Sequence, residues 1–255
     1  MPTNHLFYEY YDTLYADKNY KEETDYLFSI AELILTTLPE KILEIGCGTG
    51  NHTLEIAKHG LPVTAIDIDN SMAEIAKIKI KKTGLNYVKV ERTEIEKLKD
   101  KGFDIALAMF NVITYIQDTK SLLSFFTGIH QRLDKYGLFI FDCWNGSAAL
   151  LDPPKNKTIA KKIGSEDISC KIVSDTNFLE QKTTLNYYIN VKSILDNTQR
   201  SDLFSFDQTL WTPLQLSYNL KRSGFEIIKC SKLFNIEEQA TPADWKIMFV
   251  CQKIK

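Results

Sequence analysis

A glycine-rich turn is the part of the sequence whose composition and spacing most directly indicate chemistry. The short apolar segment 41–45 runs into Gly46-Cys47-Gly48-Thr49-Gly50. Glycines allow positive φ and let a ligand approach the main chain closely. Asp67 ends a second apolar segment, where its carboxylate can accept hydrogen bonds from ribose hydroxyls. The spacing predicts a nucleotide-cofactor turn between a strand and a helix.

The charges around this turn favour a ligand that has a ribose but no phosphate. A dinucleotide-binding turn has the pattern G-x-G-x-x-G, and Asn51 stands here where its third glycine would be needed. Glu44 lies two residues before the first glycine. Its carboxylate would repel a pyrophosphate but could attract a cationic amino-acid group. A dehydrogenase turn is therefore the less favoured alternative.

The elements that must position this turn alternate between strands and helices. Strands are predicted at 41–45, 63–67, 87–90, 103–109 and 138–141, and helices over 51–59, 72–82 and 120–133. Ser71 and Glu74 have the spacing of a capping box at the start of the second of these helices. The fourth and fifth strands are almost entirely apolar, which is typical of parallel strands covered on both faces. The pattern predicts an α/β, Rossmann-like, seven-stranded and mostly parallel sheet.

The pattern changes after the fifth strand. Alternating segments at 168–173, 183–191 and 203–210, with turns expected at Ser174-Asp175 and Asp196-Asn197, predict a small inserted antiparallel sheet. The ligand-binding core is predicted to comprise residues 1–150 and 211–255, and the insertion residues 151–210. Thr212 and Pro213 predict the start of a helix. Strands at 225–230 and 246–251 are expected to complete the main sheet.

In this order and spacing, the motifs resemble those of the class I S-adenosylmethionine-dependent methyltransferases. The resemblance rests on Glu44-x-Gly46-x-Gly48-x-Gly50, on Val63-Thr64-Ala65-Ile66-Asp67-Ile68-Asp69 followed by Ser71-Met72, on Phe103-Asp104-Ile105-Ala106, and on Leu133-x-x-x-Gly137-Leu138. It covers residues 41–145 closely and the rest of the chain loosely. It implies S-adenosyl-L-methionine as the cofactor and a methyl transfer as the reaction.

The same resemblance assigns cofactor contacts. The methionyl part would lie on Gly46, Cys47, Gly48 and Gly50 beside Glu44, the ribose on Asp67, and the adenine between Ile68 and Met72. Such families usually have a Gly-Asp pair after the third strand, but this chain has Glu91-Arg92-Thr93. The contact to the adenine amine therefore falls to Thr93 or to neighbouring backbone, and an exposed loop is the alternative for Glu91 and Arg92.

Methyl transfer from a sulfonium is an in-line displacement, in which positioning can supply roughly 7–11 kcal/mol of the barrier. A positive donor also favours a negative or aromatic wall. Candidates follow the fourth and fifth strands: Phe110 for the donor, and Asn111, Trp144 and Asn145 for the acceptor. Asp142 could orient an amine or take a proton from a hydroxyl. A carboxylate that caps nearby backbone is the alternative for Asp142.

The first 38 residues are rich in aromatic side chains. Tyr11-Asp12-x-x-Tyr15, with Tyr20 beyond, resembles the arm of small-molecule methyltransferases, including amino-sugar N-methyltransferases, in which the arm closes over the donor. This makes Tyr11 a second catalytic candidate, and Tyr15 and Tyr20 cofactor contacts; a packed aromatic helix is the alternative. The insertion resembles the lid and dimer surface of those enzymes. A helix ending at Pro39 is expected to have one apolar stripe, formed by Tyr26, Ile30, Leu33, Ile34 and Leu38.

Composition excludes several classes of protein. A net charge of −2 and a pI of about 6.1 argue against nucleic acid as a partner. We find neither an apolar run of roughly 20 residues nor a secretory signal, which predicts a cytoplasmic protein without a membrane partner. The five cysteines include no CxxC pair, so we expect reduced thiols and no metal. His52, His59 and His130 lie on predicted helices, which makes them poor general-base candidates.

The sequence thus predicts methyl transfer to an N or O atom of a small polar acceptor. A nucleotide-linked sugar is the leading acceptor, on the resemblance alone, and a homodimer through the insertion is the expected assembly. A protein or RNA methyltransferase is one alternative, which the acidic pI disfavours. A cofactor-binding scaffold that has lost catalysis is the other.

Overall fold

The computed structural model describes residues 5–254, which form two separate β-sheets and seven α-helices within that range. The strands are β1 (Ile42–Ile45), β2 (Val63–Asp67), β3 (Val88–Arg92), β4 (Phe103–Ala108), β5 (Leu133–Trp144), β6 (Lys157–Ile163), β7 (Glu166–Asn177), β8 (Lys182–Ser193), β9 (Gln199–Thr209), β10 (Phe225–Lys232), β11 (Asn235–Gln239) and β12 (Lys246–Lys253). The helices are α1 (Leu6–Leu14), α2 (Tyr20–Ile34), α3 (Asn51–Ala57), α4 (Asn70–Thr83), α5 (Thr119–Arg132), α6 (Gly146–Leu151) and α7 (Pro213–Arg222), with short 3₁₀ turns at Ile95–Lys97 and Val112–Tyr115. None of the helices between residues 5 and 254 has both the length and the apolarity to cross a membrane.

The main sheet has the strand order β11-β10-β12-β5-β4-β1-β2-β3. Its centre is parallel, because β1 pairs in parallel with β2 and β4, and β4 pairs in parallel with β5. Every residue of β1 and β2 is buried, which explains why both strands are mostly apolar. The carboxyl ends of β1, β2 and β4 therefore meet at one edge, and each is followed by a residue that the sequence assigned to the site.

The predicted Rossmann-like fold is confirmed, but the main sheet has eight strands instead of the predicted seven. The additional strand, β11, lies at the edge and pairs only with β10 within the described residues. Its sequence, Asn-Ile-Glu-Glu-Gln, is mostly polar and largely exposed. A strand that buries neither face has no alternation of apolar and polar residues, so the pattern could not indicate it.

Two local predictions about the helices were wrong. Helix α4 begins at Asn70, and its cap is Asp69, whose carboxylate accepts a hydrogen bond from the Met72 amide at 3.0 Å. The predicted capping box of Ser71 and Glu74 therefore lies inside the helix. Helix α2 ends at Ile34, so Leu38 lies beyond it, and Leu33 is exposed on its outer side. By contrast, Thr212 does cap α7, in a reciprocal capping box with Gln215.

The inserted sheet is antiparallel, with the order β6-β7-β8-β9. The turn expected at Ser174-Asp175 lies within β7. The chain reverses after Asn177, whose Oδ1 accepts hydrogen bonds from the amides of Leu179 and Glu180. One face of this sheet packs on α1, through a cluster that includes Phe7, Tyr10, Ile189 and Tyr187. Helix α1 thus lies against the inserted sheet, hereafter the lid.

Candidate active site

The glycine turn after β1 is fastened to β2. The Gly46 amide donates to the Ile66 carbonyl at 2.8 Å, and the Gly48 amide donates to Oδ2 of Asp67 at 2.8 Å. Gly46 has a φ of 68°, and a Cβ there would lie 2.6 Å from a methyl of Val112. Gly48 has a φ of 56°, and a Cβ there would meet no atom within 4 Å. The turn therefore needs glycine at both positions, and the main chain at Gly48 faces open space that a ligand can occupy.

A buried carboxyl group forms the floor of this turn. Glu44 is 2% exposed, and the Thr53 hydroxyl donates to its Oε2 at 2.5 Å. Burial raises the pKa of Glu44 to about 8; the Thr53 hydrogen bond opposes this shift and the charge of Asp67 adds to it. Burial also raises the pKa of the Cys47 thiol well above its usual value. Glu44 has no cationic side chain among its hydrogen-bond or ion-pair partners in the described part of the chain, so a cationic ligand group would favour its ionised form.

The end of β2 presents a carboxylate beside the glycine turn. Asp67 is nearly buried, and Oδ1 accepts from the Asp69 amide at 2.8 Å while Oδ2 accepts from Gly48. Burial raises the pKa of Asp67, and these two backbone hydrogen bonds oppose the shift. Each carboxylate oxygen can accept more than one hydrogen bond, so capacity remains for ribose hydroxyls.

The three residues assigned to the adenine have different environments. The side chain of Ile68 is 68% exposed and available to contact a ligand. Met72 is buried in the cluster that includes α1 and the lid. The Thr93 amide donates to the Asp67 carbonyl at 3.0 Å, and its hydroxyl donates to the Glu94 carbonyl at 3.3 Å. Thr93 thus lies beside Asp67, but its own polar hydrogens already have acceptors.

A carboxylate at the end of β5 holds the turn that follows β4. Oδ1 of Asp142 accepts hydrogen bonds from the amides of Phe110, at 2.5 Å, and Asn111, at 3.2 Å. Phe110 and Asn111 have φ values of 72° and 64°, in the left-handed region that non-glycine residues rarely adopt. Burial raises the pKa of Asp142, and the Asn111 amide and the charge of Lys18 oppose this. Asp142 therefore caps nearby backbone, which was the alternative that the sequence left open.

The three residues assigned to the acceptor have different surroundings. Asn111 is 7% exposed, and its Oδ1 has no hydrogen-bond partner among the described residues. Trp144 is half-buried, with its ring 5.5 Å from that of Trp245. Asn145 donates to the carbonyls of Thr241 and Asp244 and accepts from the Ser147 amide. The side chain of Asn145 thus holds a turn, whereas the side-chain oxygen of Asn111 is buried without a hydrogen-bond partner among the described residues.

Tyrosines from the N-terminal arm approach the turn after β4. The rings of Tyr11 and Tyr15 lie 4.9 Å apart, and that of Tyr15 lies 5.1 Å from Phe110. The ring of Tyr20 lies 4.8 Å from His52. Burial raises the pKa of Tyr15 to about 12 and that of Tyr11 well above its usual value. At neutral pH these tyrosines keep their protons, so they can form a wall and donate hydrogen bonds.

Two arm residues that the sequence did not single out also contact this region. Asp12 accepts hydrogen bonds from the Thr49 hydroxyl at 2.6 Å, from Asn51 at 2.9 Å and from Lys79 at 2.7 Å. Lys18 is ion-paired with Glu23, and its ammonium lies 4.7 Å from the centre of the Phe110 ring. Asp12 lies within the quoted tyrosine motif, but its partners are 37 to 67 residues away. No local signal marked Lys18.

In the comparisons with known sequences, three of the matches are to methyltransferases. Residues 42–137, less than half of the chain, match a family described as a methyltransferase domain. A putative methyltransferase of Geobacillus sp. (strain WCH70) is 29% identical over 105 residues, which are 40% of this chain and 42% of that protein. The putative methyltransferase YqeM of Bacillus subtilis (strain 168) is 24% identical over 254 residues, 98% of this chain and 96% of that protein. The chain thus spans less than half the length of the first relative and nearly all of the second.

Comparisons with solved structures extend over almost the whole chain. The sugar N-methyltransferase KedS8 from Streptoalloteichus sp ATCC 53650 has a TM-score of 0.80 at 16% identity, covering 96% of this chain and 93% of that one. CalS10, an amino pentose methyltransferase from Micromonospora echinaspora whose structure is described as SAM bound, has a TM-score of 0.74 at 14% identity, covering 95% of this chain and 96% of that one. At these identities the likeness shows the fold.

Proposed function

We propose that the chain is an S-adenosylmethionine-dependent methyltransferase, as its sequence predicted, and that it methylates an N or O atom of a small polar acceptor. The match of residues 42–137 to a methyltransferase domain and the likeness of fold to two methyltransferases support this. The match to a methyltransferase domain supports the predicted class of enzyme, and the likeness of fold to a structure described as SAM bound supports the predicted cofactor. The leading acceptor is a nucleotide-linked sugar. Its support is the likeness of fold to the two sugar enzymes. The cytoplasmic location and the homodimer through the lid stay predictions.

The residues at the ends of β1 and β2 fit S-adenosylmethionine. The main chain at Gly48 has open space above it, and Glu44 is a buried carboxyl group with no cationic partner among residues 5–254. The methionyl ammonium would supply that cation, and Asp67 would accept hydrogen bonds from the ribose. When bound, the cofactor supplies an electrophilic methyl group on a positively charged sulfur. The chain itself contributes binding, alignment and the exclusion of water.

The observation that carries the proposal is the enclosure of the carboxyl end of β4. The Tyr15 ring of the arm lies against Phe110, and its hydroxyl is 3.1 Å from that of Tyr187 on β8. On another side, the ring of Tyr115 lies 5.2 Å from that of Phe206 on β9. Arm, core and lid thus contribute aromatic walls to one region. This enclosure favours a small acceptor, because a polypeptide or an RNA strand would have to displace both the arm and the lid.

The test has two stages. Calorimetry should first show binding of S-adenosylmethionine and of S-adenosylhomocysteine to the full chain. A screen with S-adenosylmethionine labelled in its methyl group should then transfer label to an amino sugar or hydroxy metabolite, with free and nucleotide-linked sugars compared side by side. Reactions without acceptor are the control. Absence of donor binding would refute the function, and binding without any transfer would favour the catalytically inactive scaffold.

A further inference from the structure

The donor half of the site lies at the ends of β1 and β2, and the acceptor half lies at the end of β4. We propose that helix α1 moves with the lid and not with the core, so that the cofactor enters or leaves only when the acceptor half opens as well. The resemblance describes residues 1–38 as a single arm, but the contacts of its two helices divide that arm between Asp17 and Lys18. This coupling rests on the function proposed above, because that function names the two ligands.

The apolar face of α1 packs against the lid. All four buried residues of α1 belong to one cluster with buried residues of β7 and β8. The ring of Phe7 also stacks on that of Phe204 on β9, with 4.3 Å between their centres. Among the residues that the structure describes, Met72 is the one fully buried member of this cluster that belongs to the core. Lifting α1 off the lid would therefore expose the whole cluster to water, whereas lifting α1 and the lid together separates only Met72 from it.

Polar contacts also tie α1 to the lid. Asp202 of β9 accepts a hydrogen bond from the Leu6 amide at 2.9 Å, where the first turn of the helix has no acceptor of its own. Arg200 of β9 forms two hydrogen bonds from one nitrogen to the carboxylate of Glu9, at 3.0 and 2.9 Å, and a third bond to Glu166 of β7 at 3.1 Å. Exposed ion pairs add little stability, but this set fixes the direction of α1 on the sheet.

Helix α2, by contrast, packs on the core. Its buried apolar residues form a cluster with residues of β1 and α3, which on these three elements consists of Leu27, Phe28, Ile30, Ala31, Ile42, Ile56 and Ala57. Residues 15–19, which join the two helices, form neither helix nor strand. Within this segment Asp17 pairs with Lys161 of β6, whereas Lys18 pairs with Glu23 of α2. The chain therefore changes its partner from the lid to the core between two neighbouring residues, where a hinge is expected.

The contacts of α1 with the donor half are polar. Asp12 accepts a hydrogen bond from Thr49 in the glycine turn, at 2.6 Å. The Tyr8 hydroxyl donates to Asp69 at 2.7 Å, two residues after Asp67. Such groups can bond to water once they are separated, so this interface opens at a lower cost than the apolar one. Lifting α1 would therefore uncover both the glycine turn and the carboxylate assigned to the ribose.

The lid covers the acceptor half while α1 covers the donor half. Tyr187 of β8 contacts Tyr15 through their hydroxyls, and Phe206 of β9 packs against Tyr115 of the core. Since one sheet carries both α1 and these aromatic walls, neither half opens without the other. A bound acceptor that holds the lid closed should therefore also hold the cofactor in place, and the cofactor should bind first.

The first experiment measures which elements move together. Spin labels are placed in pairs at Thr13 on α1, Lys171 on β7 and Glu32 on α2 of the full chain, on non-natural amino acids so that the native cysteines remain. Pulsed electron resonance then measures the three distances with and without saturating S-adenosylhomocysteine. We expect the α1–lid distance to stay constant and the α1–α2 and lid–α2 distances to change together.

Each other outcome overturns the proposal. A change in the α1–lid distance at a constant α1–α2 distance would place α1 with the core. A change in all three distances would make α1 independent of both bodies. Three constant distances would show that no joint movement accompanies binding. Failure to bind S-adenosylhomocysteine would instead refute the proposed function, so the two failures are distinguishable.

The second experiment tests the coupling itself. The Gln117 side chain donates to the Asp207 carbonyl at 3.1 Å, a contact between the core and the lid that involves no residue of α1. Gln117→Cys and Asp207→Cys are joined by a reducible bifunctional thiol reagent after S-adenosylhomocysteine has bound. This link should slow release of the ligand about tenfold or more. The same protein before linkage and after reduction is the control, and equally fast release from the linked protein would show that the donor half opens by itself.

Two variants provide an independent measure of the tie between α1 and the lid. Asp202→Ala removes the acceptor of the Leu6 amide and the partner of His5, so that α1 can lift without the lid. Release of S-adenosylhomocysteine, measured by stopped-flow displacement, should become about two- to fivefold faster. Asp175→Ala, at an exposed position of β7 in the same sheet, should leave the rate unchanged. An unchanged rate in Asp202→Ala, with urea denaturation showing that it folds, would contradict the proposal.

Discussion

The donor half and the acceptor half of the site are built in different ways. The donor half lies at the ends of β1 and β2, where the glycine turn is tied to β2 by backbone amides that donate to Ile66 and Asp67. The acceptor half joins the arm, the end of β4 and the lid largely through side chains, as in the hydroxyl contact between Tyr15 and Tyr187. Backbone geometry thus determines the donor half. Side-chain contacts between residues far apart in the sequence determine the acceptor half.

This difference predicts where substitutions act. A change at the donor half should alter affinity for the cofactor and leave the arm and lid in place. A change at the acceptor half should alter alignment or cofactor exchange and leave the glycine turn intact. The predictions below, made at four residues, test this division in order of decreasing expected effect.

Asp142→Ala should have the largest effect on turnover, with kcat/KM for an acceptor found in the screen reduced about 100-fold. Without the carboxylate, the Phe110 and Asn111 amides lose their acceptor, and a misplacement of about 1 Å can have this cost. The free energy of unfolding should also fall by about 1–3 kcal/mol, measured by urea denaturation.

Asp142→Asn distinguishes positioning from base catalysis. Its side-chain oxygen can still accept from the Phe110 and Asn111 amides, so stability and most of the activity should remain. If Asp142 removed a proton from the acceptor, Asp142→Asn would instead be stable and as inactive as Asp142→Ala. Comparing the two variants by kcat/KM and by urea denaturation decides between these roles.

Asp67→Ala should weaken cofactor binding tenfold or more, measured by calorimetry. The substitution removes charged hydrogen bonds to the ribose and also the acceptor of the Gly48 amide. Asp100→Ala, in an exposed loop, is the matched control and should leave the dissociation constant unchanged. A constant that does not change in Asp67→Ala would refute the assignment of the ribose to this residue.

Glu44 should make cofactor binding depend on pH. Its pKa of about 8 means that it is mostly protonated at pH 7, and a cation above it favours the ionised form. Binding should therefore release close to one proton at pH 7, and affinity should rise with pH up to about 8. Calorimetry in buffers of different ionisation enthalpy measures this release, which should be absent in Glu44→Gln.

The same raised pKa has a consequence for stability, with a defined sign. The folded protein holds the Glu44 proton more tightly than the unfolded chain, so stability should fall as pH rises from the usual glutamate pKa towards 8. Glu44→Gln should remove that slope from a series of urea denaturations. Glu55→Gln, on the outer side of α3 beside Lys58, is the control. If stability depended on pH equally in Glu44→Gln and in the unchanged protein, the raised pKa would not belong to Glu44.

Asp12→Asn should have the smallest effect of these substitutions, a roughly three- to tenfold faster release of the cofactor, measured by stopped-flow displacement. It weakens the contacts of the arm with Thr49, Asn51 and Lys79 but leaves the carboxylates of Glu44 and Asp67 in place. Asp17→Asn is the control, because that residue is paired with Lys161 in a highly exposed position. Equal release rates in Asp12→Asn and the unchanged protein would show that the arm does not limit exchange.

Some structural features were visible in the sequence because they depend on residues close together in the chain. Helix α7 begins at the predicted cap, since Thr212 and Gln215 bond to each other within one turn and Pro213 occupies the first helical position. The start of α4 was misplaced, because Asp69 and Ser71 both have a side chain suited to capping and only the geometry after β2 selects Asp69. The polar edge strand β11 was missed, because its place depends on pairing with β10.

The sequence by itself determined the α/β class, the glycine turn and the carboxylate at Asp67, because these follow from local spacing and from the periodicity of buried strands. Only the tertiary structure decided that Asp142 would hold Phe110 and Asn111, and that Tyr15 would meet Tyr187, 172 residues away. The physical reason is that a polar side chain takes whichever partner the packed elements bring within about 3 Å, and the sequence around it does not specify that partner.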